Sequence, residues 1–283
     1  MAYIKDFVSV VIPTYNRENT LRKSIKSVTE QTYDQIEILV VDDGSTDNTH
    51  ELVQQMTSED QRIRYLKNTG AKGVSDARNT GIRAATGEFI AFNDSDDYFH
   101  KDKISKQIEK FGDADFCFGR FEKIIDHKEY VIPSDKYDDT ELNGDIYELL
   151  LHDNLIGCPT LMVRHALLDK TGGFDTSFPA LEDYDMALRL AKNGKAAFVG
   201  DVILDSDFTE ESISASNGNF VAASIMILQK YLPDIIKAGE LEYKVNGILT
   251  NAEYWGVKER TALVISHILS QYEESLKSCV SAS

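Results

Sequence analysis

Short apolar runs alternate with helical periodicity through the first half of this chain, and each run ends in a polar cluster. Val8 to Ile12 is stopped by Pro13 and reads as a buried strand. Asn19 to Gln31 follows with Leu21, Ile25 and Val28 at helical spacing, which predicts one inward face. Ile36 to Val41 is a second apolar run, broken by Asp42-Asp43-Gly44-Ser45. Thr46 or Asp47 is suited to cap the next helix, which carries Leu52, Val53 and Met56. A strand at Ile63 to Leu66, a helix from Ser75 to Ala85 and a strand at Phe89 to Phe92 continue the series up to Asn93-Asp94-Ser95-Asp96-Asp97. This order implies right-handed crossovers and a mostly parallel sheet. Ligands of such sheets gather at the carboxyl ends of the strands. Pro13 to Arg17, Asp42 to Ser45 and Asp94 to Asp97 are therefore expected on one rim.

Composition narrows the function classes. A chain of 283 residues suits one large domain or two small ones, and 42% hydrophobic with 10% aromatic residues supply a core. Lys and Arg number 30 against 47 Asp and Glu, a formal charge of −17. That balance argues against a general nucleic-acid binder, which needs clustered cations. It also disfavours broad adsorption to anionic lipid, a local basic patch aside. Cys117, Cys158 and Cys279 show no metal or redox spacing and read as reduced thiols. The first residues form no apolar leader, and Phe220 to Leu228 is far short of the ~20 residues that span a bilayer. The expectation is a soluble intracellular protein. A Gly-x-Gly-x-x-Gly after the first strand and a phosphate-binding loop ending in Gly-Lys-Ser/Thr are both missing, which weakens dehydrogenase and P-loop readings.

Further along, Lys101 to Phe111 reads as a helix, Asp115 to Phe118 and Lys123 to Pro133 as strand-like pieces, and Tyr137 to Asn143 as a loop. Thr160 to Val163 resembles another strand and Glu182 to Lys192 a helix. After Asp207 the texture turns helical, with Phe220 to Tyr231 and Thr261 to Leu276 amphipathic. The expected division is residues 1–211, with halves of about 1–100 and 101–211, followed by a helical extension over 212–283.

Several clusters carry candidate chemistry. Asp94-Ser95-Asp96-Asp97 puts three carboxylates within four residues, which suits a hard divalent ion or a solvated acidic turn. Asp42-Asp43-Gly44-Ser45 fits a capping turn, or a carboxylate that accepts from a base N–H while Gly44 permits close approach. Arg78 points a cation at the same rim or pairs at the surface with Asp76 or Glu88. Glu182-Asp183 opens a helix, where the dipole favours acids. Its preceding Gly172-Gly173-Phe174-Asp175 and Phe178-Pro179 also form a loop able to carry a carboxylate to the rim. Trp255 and nearby tyrosines suit the core better than a sugar platform, and the six histidines lack ligand spacing.

Taken together, the motifs resemble glycosyltransferase family 2. They are Val8-Ser9-Val10-Val11-Ile12-Pro13-Thr14-Tyr15-Asn16, Val41-Asp42-Asp43-Gly44-Ser45-Thr46-Asp47, Ala77-Arg78-Asn79, Gly87-Glu88-Phe89-Ile90, Asp94-Ser95-Asp96-Asp97 and Glu182-Asp183, in the family's order between Val8 and Ser214. The resemblance implies an α/β protein of the GT-A, Rossmann-like fold: a mixed, mostly parallel sheet flanked by helices, here with a C-terminal helical extension. It implies a metal-dependent inverting transferase that moves a sugar from a UDP-sugar to an acceptor hydroxyl. Pro13 and Tyr15 would lie against the uracil, with Asp43 accepting from its imide N–H. Thr14 and Ser95 join the nucleotide-sugar site, Arg17 and Arg78 lie near the nucleotide and its phosphates, and Asp94 approaches the ribose. Asp96 would hold Mn2+ or Mg2+, Asp183 would be the catalytic base, and Glu182 would support the acceptor. Members often show a His shortly before a Ser-Ile-Ser segment. Thr209 occupies that place before Ser212-Ile213-Ser214, a departure from the pattern.

The implied acceptor is a growing glycan, a glycoprotein or a lipid-linked saccharide, with no nucleic acid and no transmembrane segment involved. The implied place is the cytoplasm, including the inner face of the membrane. The C-terminal helices would shape an acceptor groove, meet a partner transferase or form a homo-oligomer. Two other readings stay open: a non-catalytic nucleotide-sugar-binding scaffold, and a polyprenyl-phosphate sugar synthase.

Overall fold

The computed structural model describes residues 3–125, 128–207 and 219–281. Two compact units divide the chain: Met1–Thr176 with Glu182–Thr209, and Ser177–Leu181 with Glu210–Ser283. Thr209 and the Ser212-Ile213-Ser214 segment lie outside the described residues.

The first unit is built on a nine-stranded sheet. Its first half is wholly parallel, with β1 (Ile4–Thr14) between β2 (Ile36–Asp42) and β4 (Gly87–Phe92), and β3 (Ile63–Lys67) outside β2. The helices α1 (Leu21–Thr29), α2 (Thr49–Glu59) and α3 (Val74–Ala84) make the crossovers. Every residue of β2 is buried, so Ile38 to Val41 are apolar without alternation, while Glu37 and Asp42 accept hydrogen bonds from Ser9 and Tyr65. Leu21, Ile25 and Val28 of α1 are fully buried, as their spacing predicts. The N-cap of α2 is Asn48 rather than Thr46 or Asp47, although the Asp47 carboxylate just before it accepts the Thr49 N–H at 3.0 Å.

Pro13 does not stop the first strand. It pairs with Val41 inside β1, whereas the ladder with β4 ends at Val11↔Phe92. Its missing N–H therefore removes no bond on the β4 side.

The second half of the sheet is mixed. It holds β5 (Asp97–Phe99), β6 (Phe116–Ile125), β7 (Lys128–Ile132), β8 (Met162–Arg164) and β9 (Ala196–Asp207). The order across the sheet is β3-β2-β1-β4-β8-β6-β9-β5, with β7 paired to β6. The two pieces expected around Asp115 and Lys123 are thus one strand and a hairpin, because β6 continues along β9 through a register shift at Arg120 and β7 folds back on it. Helices α4 (Lys103–Phe111), α5 (Tyr147–His152), α6 (His165–Thr171) and α7 (Glu182–Asn193) complete this unit. Lys103 of α4 is fully buried: its Nζ donates to Gln107 Oε1 at 2.6 Å and lies 4.0 Å from the Phe99 ring centre. Burial pulls its ammonium down to about 7. Cys117 and Cys158 are buried free thiols; the Cys279 side chain lies outside those described.

The second unit contains α8 (Asn219–Lys237), α9 (Leu241–Tyr254) and α10 (Lys258–Ser281). Its core includes Ile227, Tyr231, Ile248 and Ile265. Trp255 is half-buried against the exposed Tyr254. Among the described residues no helix is long and apolar enough to cross a membrane.

Candidate active site

The three polar clusters do meet on one rim. Asn16 accepts the Thr46 N–H at 2.8 Å, and its own N–H donates to Ser45 Oγ at 2.9 Å. The two aspartates at the end of β2 divide the work. Asp42 accepts the Gly44 and Ser45 N–H groups and closes the turn. Asp43 reaches the loop before α3, where its two oxygens accept from Asn68 Nδ2 at 2.6 Å and the Gly73 N–H at 2.9 Å. Beside them Tyr15 is half-exposed, with Lys72 Nζ 3.8 Å from its ring centre. Thr14 and Ser95 are buried.

The acid motif at the end of β4 is held by α1. Ser24 Oγ donates to the Asp94 carbonyl at 2.9 Å and accepts from Asn93 Nδ2 at 2.9 Å. Asp97 already belongs to β5, which pairs with β9 at Asp97↔Ser206. Burial and the Asp94 charge hold the Asp97 carboxyl well above the usual carboxylate range. Asp96 points to the rim, 3.7 Å from Arg17 Nη2.

Arg78 is the hinge of the site. It is 4% exposed, far from the surface pairing with Asp76 or Glu88 that the sequence left open, and Glu88 instead pairs with Arg164. Its Nη2 donates to Asp94 at 2.7 Å and its Nη1 to Glu182 at 2.8 Å. Burial works against its charge, but the two carboxylates outweigh that and keep it protonated. The guanidinium lies over the Phe174 ring, centre at 5.1 Å. Asn79, the next residue, grips the Phe174 backbone at both ends: Nδ2 donates to its carbonyl at 2.9 Å and Oδ1 accepts its N–H at 2.7 Å. A Cβ on Gly173 would stand 2.2 Å from Asn79 Oδ1, so the loop needs glycine there.

Asp183 opens α7 beside Glu182 and accepts the Tyr184 N–H at 2.8 Å. Burial first, and then the Glu182 charge, raise its carboxyl to about 7, while Arg78 pulls the other way. Lys123 of β6 interacts electrostatically with both Asp97 and Asp183. The sequence signals only its strand. Ser24 and Lys123 are functional neighbours that no motif marks, and Asn79 is legible only inside Ala77-Arg78-Asn79.

Asp94, Asp96, Asp97, Glu182 and Asp183 thus gather with Arg17, Arg78 and Lys123, and the burial that raises Asp97 and Asp183 leaves Asp94, Asp96 and Glu182 as the acids on the rim. Among the described residues no three His, Cys, Asp or Glu side chains converge as a metal cage. A Mg2+-like ion bound through one or two carboxylates plus phosphate oxygens needs no such cage. The carboxylate oxygens at the end of β4 fit that kind of ion.

The family model described as glycosyl transferase family 2 matches residues 9–170. The Escherichia coli UDP-Glc:alpha-D-GlcNAc-diphosphoundecaprenol beta-1,3-glucosyltransferase WfgD is 33% identical over 258 residues, covering 84% of this chain and 96% of its own. Among solved structures, S. aureus TarS 1-349 in complex with UDP-GlcNAc has a TM-score of 0.65 at 19% identity, over 91% of this chain and 83% of its own. The mannosyltransferase PcManGT from Pyrobaculum calidifontis, in complex with GDP-Man and Mn2+, has a TM-score of 0.63 at 19% identity, over 97% and 79%. Identities this low establish the fold alone, which is GT-A. The family match and the near full-length likeness to WfgD establish more: the chain belongs to glycosyltransferase family 2 and is a glycosyltransferase.

Proposed function

We propose that this enzyme is a metal-dependent, inverting transferase that moves a hexose from a UDP-sugar, UDP-glucose first, to a hydroxyl of a lipid-linked saccharide. The observation that carries it is the Arg78 bridge, which sets the Glu182-Asp183 helix start against the acid motif. The WfgD likeness supports the donor and the acceptor class.

In a single displacement the acceptor hydroxyl attacks the anomeric carbon as UDP departs from the opposite face. Asp183 receives the hydroxyl proton. An ordinary Asp, with a pKa of ~3.9, is a weak base, whereas a carboxylate near 7 is matched to neutral pH. Glu182 is fixed by Arg78 and orients the acceptor side. Pro13 and Tyr15 carry the uracil, and Asp43, already set by Asn68 and Gly73, accepts its imide N–H. Thr14 and Ser95 line the same donor side.

Both Nη groups of Arg78 are engaged, so we assign it to positioning rather than to the phosphates. Arg17 takes the diphosphate side. Asp96 would hold Mn2+ or Mg2+, and the ion supplies Lewis-acid stabilisation of the departing diphosphate.

The test is a panel of UDP-glucose, UDP-galactose and their N-acetyl relatives against a GlcNAc-diphosphate-lipid acceptor, with Mn2+ or Mg2+. Glycosylated lipid and stoichiometric UDP are the expected products. Absence of both with every donor overturns the reading.

A further inference from the structure

We propose that a cationic groove on the outer side of α1 docks this enzyme on the phosphate headgroups of an anionic membrane. The groove has a volume of about 500 Å³, and its lining includes Arg22, Lys23, Lys26 and Lys101, with Glu30 as the one carboxylate. On a chain of formal charge −17, four lining cations against Glu30, with Glu59 beside Arg22, is a local inversion of sign. The Debye length is about 8 Å at physiological ionic strength, so a membrane phosphate in the groove responds to these side chains more than to the distant excess of acids.

The charges there are available. Lys23, Lys26 and Lys101 are exposed, and Lys26 and Lys101 form no ion pair among the described residues. Arg22 is partly engaged, donating to Gln55 at 3.0 Å and lying 4.0 Å from Glu59. Lys23 Nζ rests 3.3 Å from the centre of the Tyr98 ring, giving the groove an aromatic wall suited to an interface. Lys101 is fixed beside the end of α1, because Thr32 N–H donates to the Lys101 carbonyl at 2.9 Å and Gln31 Nε2 to the His100 carbonyl at 2.7 Å.

The opposite side of the same helix grips the acid motif. Ser24 makes that contact through the Asp94 carbonyl, while Ser27, which lines the groove, accepts the Phe99 N–H on its Oγ at 3.0 Å. Docking through α1 would therefore orient the catalytic rim relative to the bilayer, where a lipid-linked acceptor resides. The inference rests on the proposed acceptor only for its purpose. Vesicle binding is read without sugar transfer, so the two fail separately.

The experiment is co-sedimentation of the full chain with vesicles of phosphatidylglycerol and phosphatidylcholine, against phosphatidylcholine alone. A Lys or Arg near an anionic surface contributes roughly a fivefold gain in binding. Wild type is expected on the anionic vesicles only, with release by high salt. Lys26→Glu/Lys101→Glu should bind at least tenfold more weakly while keeping its thermal midpoint and its turnover on a soluble acceptor analogue. Equal binding to both vesicle types, no binding at all, or equal binding by the double variant overturns the proposal. Saturable binding of inorganic diphosphate by a protein that ignores vesicles would assign the groove to a soluble phosphate ligand and overturn it too.

Discussion

Arg78 donates to Asp94 at 2.7 Å from a side chain that is almost wholly enclosed. The bond is half of a bridge whose other half ends on Glu182. A planar fork spans two carboxylates, which a Lys ammonium does not. Arg78→Lys should lower kcat about a hundredfold with little change in donor affinity. Arg78→Ala leaves buried acids facing each other and should destabilise the fold by about 3–5 kcal/mol. Turnover assays beside thermal unfolding check both, and an unchanged Lys variant would remove the bridge from the mechanism.

In the proposed mechanism Asp183 must be ionised to take a proton, and burial raises its carboxyl to about 7. Activity is therefore expected to fall about tenfold per pH unit below pH 7 and to level off above it. Asp183→Asn should remove about 10²–10⁴ of turnover while donor binding stays within about threefold. A pH–rate profile and a nucleotide titration measure these two effects independently.

Asp96 and Asp43 should separate in binding assays. Asp96→Ala should abolish the gain in UDP affinity that Mn2+ brings, leaving metal-free affinity intact. Asp43→Ala should weaken UDP about tenfold with or without the ion. Calorimetric titration in Mn2+ and in EDTA distinguishes them, and identical curves for wild type and either variant reject that residue's role.

Gly173→Ala places a methyl 2.2 Å from Asn79 Oδ1 and so forces the Phe174 backbone off its clamp. A loss of about 1–3 kcal/mol is expected. If Asn79→Ala is introduced first, Gly173→Ala should cost less, which a double-mutant cycle in urea would read out.

Lys103 should leave a signature in stability against pH. Its folded pKa is about 7, lowered from 10.5, so between those values the unfolded chain holds a proton that the folded one has released. Stability contributed by this site therefore rises as pH increases from 7 toward 10. Lys103→Met should flatten that part of the curve, as unfolding midpoints across the range would show.

Much of the rim was legible because its signals are local. Strands that end in Asp42-Asp43, Asp94 to Asp97 and Pro13 to Arg17 announce their shared edge by order alone. What stayed hidden depends on partners distant in sequence. Arg78 could be placed on a helix, but its carboxylates lie 16 and 104 residues away. Lys103 is an ordinary polar residue by pattern, and only Gln107 and the Phe99 ring explain its burial. The strand β5 is three residues long and begins inside the acid motif, and β9 carries Gly200-Asp201 in the middle of its apolar run. Its register against β6 shifts around Arg120, a break that a strict alternation cannot signal.

The Asn79–Phe174 clamp joins positions 95 residues apart, and that separation has a consequence for biosynthesis. A nascent chain can complete the parallel half of the sheet on leaving the ribosome, yet Asn79 and Arg78 then have no Phe174 or Glu182 to meet. The Arg78 bridge closes only once α7 has been made, so translation halted before α7 yields a scaffold whose central arginine still lacks its second acidic neighbour.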